Sequence, residues 1–315
     1  MHFIFRSLLA TLALSIGTTS AHAINIAFKK PDTLTVCSYS EFKPVIYGEG
    51  EGYEADLLRA VAELWQVDIR FFPEHIYEGI WRLPSRPYTL CDVSAGGMSP
   101  TPARLAEDAQ FSTITTLFNQ SLLVRKSDFT SGRIVSYRSF KNTPMKIGVV
   151  PGTTGEKYAY ARAKENDLPM TIFVQYASES ELLPALLNHK IDGIARGEIG
   201  NQYQASVDNN LITIAKKKCN EGFAFGVDKS NSSLVLHLNQ AIHDITTNGA
   251  ITYDDWLNNH AVFSHRAKQL LGEKHLSAEE TQKSTPLTQN NLPPNKPNNK
   301  TAQVKEPDLN PMVMV

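Results

Sequence analysis

Apolar positions along the chain alternate between short runs and helical stripes. The run at 34–38 reads as a strand. Leu57, Leu58, Val61, Ala62 and Trp65 then recur at i, i+1, i+4, i+5 and i+8, which is one apolar face of a helix starting near Tyr53. The run at 67–72 predicts the next strand and closes a β-α-β unit. A short helix at 75–83, a strand at 92–96, a helix at 102–108 and a strand at 121–125 follow. The pattern then restarts. A strand at 145–150 runs through a Gly-rich turn into a helix that reaches about residue 165, and a strand at 171–175 comes next. Ser178 with Glu181 predicts a capping box for a further helix, with Pro184 as a kink or early stop. Strands at 192–195 and 222–227 follow, then a helix marked by Leu234, Leu238, Ile242 and Ile245 and ended by Gly249. A last helix covers 253–258, with Trp256 packed inward. The class implied is α/β: two successive units, each a mainly parallel sheet flanked by helices.

The ends differ from this body. Residues 1–23 have the form of a secretory signal peptide: Arg6, an apolar stretch at 8–16, then Ala21-His22-Ala23 as a small-x-small cleavage site. No later run reaches the ~18 apolar residues of a membrane helix. The expected product is an exported, periplasmic protein. From about 273 onward Pro286, Pro293, Pro294, Pro297, Pro307 and Pro311 sit among Asn, Gln, Thr and Lys, so 273–315 is expected to be a disordered tail.

A length of 315 residues fits two globular units plus tails, and 42% apolar content supplies their cores. A net charge of −1 speaks against nucleic acid as a partner. Three cysteines survive export: Cys37, Cys91 and Cys219. They allow one disulfide and leave one thiol over. Cys37 with Cys91 is the first pairing to consider, because both flank strands of the early unit, but strand register leaves it open. No spacing resembles a zinc site, and nothing in the sequence calls for a metal or a cofactor.

The most chemical stretch is 92–104. An apolar run enters Gly96-Gly97, and Ser99, Thr101 and Pro102 stand at a helix start with Arg104 in its first turn. Glycines permit close backbone approach, caps and first-turn amides donate, and a guanidinium can clamp a carboxylate through two parallel bonds. A solvated Arg on an ordinary strand-turn-helix is the bland alternative.

Landmarks in order then resemble the extracellular solute-binding proteins of family 3, the polar amino-acid receptors of ABC importers. Gly52-Tyr53-Glu54-Ala55-Asp56-Leu57 is similar to the family's Gly-aromatic-acid-x-Asp-Leu helix start. Gly97-Met98-Ser99-Pro100-Thr101-Pro102-Ala103-Arg104 resembles its Gly-Met-Thr-x-Thr-Pro-x-Arg turn. Phe111-Ser112 follows, although Thr113-Ile114-Thr115 replaces the usual Asp-Pro-Tyr. Leu122-Leu123-Val124-Arg125-Lys126, Gly152-Thr153-Thr154-Gly155-Glu156, Lys190-Ile191-Asp192-Gly193-Ile194 and the stretch from Thr247 to Asp254 complete the set.

The resemblance implies a type II periplasmic binding protein fold: lobe 1 at 25–122 plus 228–265, lobe 2 at 127–222, and two hinge crossovers. It implies a monomer that captures an amino acid or related small carboxylate in the interlobe cleft and passes it to the membrane permease of an ABC importer. Arg104 would clamp the carboxylate. Ser99 would offer hydroxyl and amide, Gly97 a carbonyl, and Thr153 and Thr154 a hydroxyl and an amide from the second lobe. Phe42 and Tyr77 (in Tyr77-Glu78-Gly79-Ile80) align with ligand-facing rings, though lone aromatics equally fit a core. Tyr39 stands where some basic-amino-acid receptors carry Asp. The usual lobe-two acid falls on Gly197, between Arg196 and Glu198. Glu198 would supply that charge after a small shift, or the ammonium is not read in the usual way, and Arg196 would favour a second anionic group.

Two other functions share the scaffold. Cyclohexadienyl dehydratases resemble the family, and Glu198 or Glu41 would be the general acid. Accessory proteins of periplasmic quinoprotein dehydrogenases resemble it too, some with cysteines placed like Cys37 and Cys91. That leaves a sensor or accessory role open.

Overall fold

The structure is a computed structural model that describes residues 26–283. The expected signal peptide, the tail beyond Lys283 and the side chain of Cys219 lie outside the described residues.

The chain opens with β1 (Thr33–Tyr39), a small hairpin of β2 (Glu41–Phe42) and β3 (Ile46–Tyr47), then α1 (Tyr53–Trp65) and β4 (Asp68–Glu74). A tight 3-10 turn, Ile80–Ser85, stands where a short helix was predicted. β5 (Val93–Met98), α2 (Pro102–Leu105) and β6 (Ala109–Phe111) follow. The long β7 (Thr116–Arg125) and α3 (Lys126–Thr130) lead to β8 (Ile147–Val149), α4 (Thr154–Glu165) and β9 (Phe173–Gln175). α5 (Glu179–Leu187), β10 (Gly193–Gly197) and α6 (Glu198–Val207) come next, and then the very long β11 (Leu211–Asp228). The chain closes with α7 (Ser232–Ile245), α8 (Tyr253–Asn258) and α9 (Val262–Lys283).

The strands run in the order β4-β1-β5-β11-β7-β10-β8-β9, with β6 on β11. β1 pairs parallel with β4 and β5, and β8 pairs parallel with β9 and β10. β7 and β11 pair antiparallel and join the two halves. α1 buries Leu57, Leu58 and Val61 completely, the stripe read from spacing, and each such side chain contributes about 1.5–3 kcal/mol. One apolar cluster runs from Leu34 in β1 to Ile194 in β10, so the halves share a core. A second, with Leu122, Phe140, Ile147 and Ala159, lies within the second half.

Several expectations need correction. Ser178 does not form a capping box: its hydroxyl pairs with Ser180 Oγ at 2.8 Å, while Glu181 accepts from the Ala177 N–H. The first-turn N–H of Glu179 is satisfied from the other half, donating to Tyr39 Oη at 3.0 Å. Pro184 remains inside α5. α2 spans four residues rather than seven, because β6 begins soon after. α6, most of β11 and α9 carry too many polar residues for their apolar pattern to stand out. The compact unit ends at Glu273, where the composition changes, yet the helix continues to Lys283. A disulfide joins Cys37 in β1 to Cys91 just before β5, with Cα atoms 5.4 Å apart.

Candidate functional site

Two turns meet across the halves. On the first side β5 contains Gly96-Gly97. Gly97 has φ +61°, and a Cβ there would lie 2.6 Å from the Phe42 ring, so only glycine fits. Its N–H donates to Glu54 Oε2 at 3.0 Å. Glu54 is fully buried, and burial pushes its carboxyl up to about 8 against the pull of the Gly97 and Gly96 amides.

Arg104 follows in α2, whose first turn is capped by the Thr101 hydroxyl. The residue is 1% exposed. Nη1 donates to Ser99 O at 2.8 Å, and Nη2 donates to Tyr77 Oη at 3.1 Å and to Gly152 O of the other half at 2.8 Å. The guanidinium lies 4.4 Å from the Trp81 ring centroid and 5.5 Å from that of Tyr77. Nε has no partner, and no carboxylate among the described residues forms an ion pair with Arg104. Arg104 therefore sits behind the cavity wall and reaches it through Tyr77.

On the second side Thr153 caps α4. Its hydroxyl accepts the Glu156 N–H at 3.0 Å and donates to Val150 O, so helix capping consumes it. Thr154 Oγ1 accepts from Gln120 Nε2 at 3.0 Å. The same amide reaches Glu221 Oε2 at 3.3 Å, which also accepts the Ser99 hydroxyl at 3.1 Å. Ser99 is thereby tied to the long strand β11.

Beside Thr154 lies a buried ion pair. Arg196 Nη1 is 2.8 Å from Glu179 Oε2, and the rest of its fork donates to Asn201 Oδ1 and Gly200 O. Tyr39 stands over this pair, 5.3 Å edge-to-face from Tyr77. Burial, reinforced by the Glu179 carboxylate, pushes the Tyr39 hydroxyl far up. Phe42, Phe118 and Phe223 complete the apolar side; the last two stack at 4.4 Å.

The structure thus brings Tyr39, Phe42, Tyr77, Gly97, Thr153 and Thr154 to one cavity of ≈ 30 Å³. That is room for about one or two waters. It does not bring Glu198 there. Glu198 accepts from Asn119 and Gln202, pairs with Lys216 at 2.6 Å, and lines a separate cavity of ≈ 220 Å³ against Thr252, Tyr253 and Asp254. That larger cavity contains no arginine and none of the glycine turns. Glu179, Gln120 and Glu221 went unrecognised from sequence. Glu179 was hidden inside an apparent capping motif, and the other two lie on the long strands β7 and β11 with no motif. Among the described residues no cluster could hold a metal, and no helix is long and apolar enough to cross a membrane.

The sequence profile of the bacterial extracellular solute-binding proteins, family 3, matches residues 34–259. An ancestral arginine-binding protein bound to arginine is 23% identical, covering 72% of this chain and 97% of that one, with a TM-score of 0.61. A Streptococcus pneumoniae amino acid ABC transporter substrate-binding protein bound to L-arginine is 19% identical over 75% and 94%, also at 0.61. An ancestral amino acid-binding protein described as a precursor of cyclohexadienyl dehydratase is 23% identical over 71% and 92%, at 0.60. No curated protein sequence matches. At these identities the likeness to solved structures establishes the fold, a type II periplasmic binding protein fold, and the profile match covers well over half of the chain. The chain belongs to the bacterial extracellular solute-binding proteins, family 3.

Proposed function

We propose that the protein is an exported receptor that captures a small carboxylate between two lobes, 25–122 plus 228–265 and 127–222, and delivers it as a monomer to the membrane permease of an ABC importer. The observation that carries this reading is Arg104: a buried guanidinium with no counter-charge among the described residues. An unpaired buried charge costs several kcal/mol, which an incoming carboxylate would offset. Its bond to Gly152 O spans the two halves. Exchanging that carbonyl for a ligand carboxylate requires the lobes to part and close again, a hinge motion for which β7 and β11 are the connections. Ser99 and Thr154 are linked through Gln120 and Glu221, a polar chain that ties the two lobes together.

An eliminating enzyme is less well supported. Glu41 would need a raised pKa to act as an acid; burial works in that direction, but hydrogen bonds from His75, Ser180 and Ser40 outweigh it and hold the carboxyl low. Glu198 is paired with Lys216 in the other cavity.

Thermal melting against a panel of small carboxylates and their methyl esters tests the proposal. A ligand at 100 Kd adds about 2.7 kcal/mol. The acids should raise Tm and the esters should not; silence across the panel would remove the capture role. A permease gene and an ATPase gene beside this one would favour transport over a sensor or accessory role.

A further inference from the structure

The cavity of ≈ 220 Å³ beside Glu198 has no part in the capture reading, and its walls carry a charge of their own. Glu198, Ile199 and Gln202 reach it from one face of α6, at i, i+1 and i+4. Tyr253 and Asp254 enter from the start of α8, and Leu117 and Phe118 from β7. Phe118 also lines the small cavity, so its ring is a wall common to both. Two carboxylates border the larger space. Glu198 is 8% exposed; it accepts from Asn119 Nδ2 at 2.6 Å and Gln202 Nε2 at 2.7 Å and pairs with Lys216 Nζ at 2.6 Å. The Lys216 side chain, from β11, is 47% exposed. Asp254 is exposed, and its carboxylate has no hydrogen bond or ion pair among the described residues. Burial, then the Asp254 charge, pushes the Tyr253 hydroxyl up to about 12, so it stays neutral. One lysine against two carboxylates leaves these walls with a net negative charge.

We infer that this cavity is a second binding site, for a small organic cation: a primary ammonium or a guanidinium on a short apolar stem. Carboxylates bordering a space partly withdrawn from water attract a cation and repel an anion. The buried Glu198 carboxylate receives the head group, and Asp254 adds a second acceptor. Lys216 is the resident rival for Glu198. Its long side chain is half in solvent and can carry its charge into water, so an incoming cation exchanges with it at little cost. The buried Ile199, the exposed Leu117 and the Phe118 ring offer apolar surface to the stem. The volume lies below the ~300 Å³ at which pockets for drug-sized ligands begin, so the stem is short. A carboxylate has no place here, because Lys216 is already paired. The two cavities thus select opposite charges.

Probes of like size and different charge test this on the protein as exported: n-butylguanidinium against n-butylurea, and n-butylammonium against 1-butanol, by titration calorimetry in phosphate buffer. At least one cation should bind at least about tenfold more tightly than its neutral partner. Cations that bind no more tightly than their partners, or no binding by any of the four at millimolar concentration, would overturn the inference. None of the probes carries a carboxylate, so either result leaves the capture reading where it stands. Two substitutions of solvent-exposed side chains localise the site. Lys216→Gln removes the rival and should tighten the cation at least about threefold, while Asp254→Asn removes the unpaired carboxylate and should weaken it at least about threefold. Either variant binding the cation like wild type would place it elsewhere and overturn the assignment.

Discussion

Replacing Glu179 by Gln removes one charge from a pair that the fold has taken out of water. The two side chains are 7% and 6% exposed and meet at 2.8 Å. Glu179→Gln keeps the volume and the backbone bond to Tyr39, because that bond uses the N–H of residue 179. What it leaves is a buried guanidinium facing neutral acceptors only. Breaking such a pair on one side costs about 3–5 kcal/mol. In a unit of this size, each kcal/mol shifts Tm by about 2–4 °C, so the variant should melt roughly 6–20 °C lower. Arg196→Met should cost a similar amount, since it strands the buried Glu179 carboxylate. The double variant removes both charges and should be more stable than the sum of the singles by about 2 kcal/mol or more. Urea denaturation of the four proteins closes the cycle. Single variants within about 1 kcal/mol of wild type, adding linearly in the double, would mean that solvent screens this pair.

Other variants probe the supporting structure. Gly97→Ala should cost about 2–4 kcal/mol in chemical denaturation, because it combines a left-handed backbone with a methyl group 2.6 Å from Phe42; a cost below 1 kcal/mol would contradict the turn geometry. Glu54 makes stability pH-dependent. The stability conferred by its neutral carboxyl is complete below the unfolded value of 4.5 and is lost as pH rises through about 8, so stability should fall across that window by about one proton's slope. Glu54→Gln should flatten that slope, and an unchanged slope would place the titration elsewhere. Removing the Cys37–Cys91 link, which closes a separation of 54 residues, should cost about 2–4 kcal/mol when both are replaced by Ser; equal stability would show that the bond contributes nothing.

The elements that sequence displayed clearly are those with one strongly apolar face. α1 and α7 followed their stripes, and β1, β5 and β10 their short apolar runs. α6 and the first half of β11 escaped because polar residues interrupt their apolar pattern: Asn201 is buried on hydrogen-bond partners and Lys216 pairs with Glu198. The first turn of the site was legible for a related reason: Gly96, Gly97, Thr101 and Pro102 have local conformational tasks that leave a signature in residue type. The Arg196–Glu179 pair is a tertiary fact, set by how β10 and α5 meet, and 17 positions of separation carry no period that would announce it. The placement of Glu198 failed for the same reason. Glu198 follows Gly197 by one position at the β10–α6 junction and lines the other cavity.

A structure of the protein with the tightest-binding acid tests the central claim most directly. The carboxylate should lie within about 3.2 Å of Arg104, with the Arg104–Gly152 bond given up and Ser99 and Thr154 on the same anion. An acid seated in the groove beside Glu198, with Arg104 still bonded to Gly152, would contradict it.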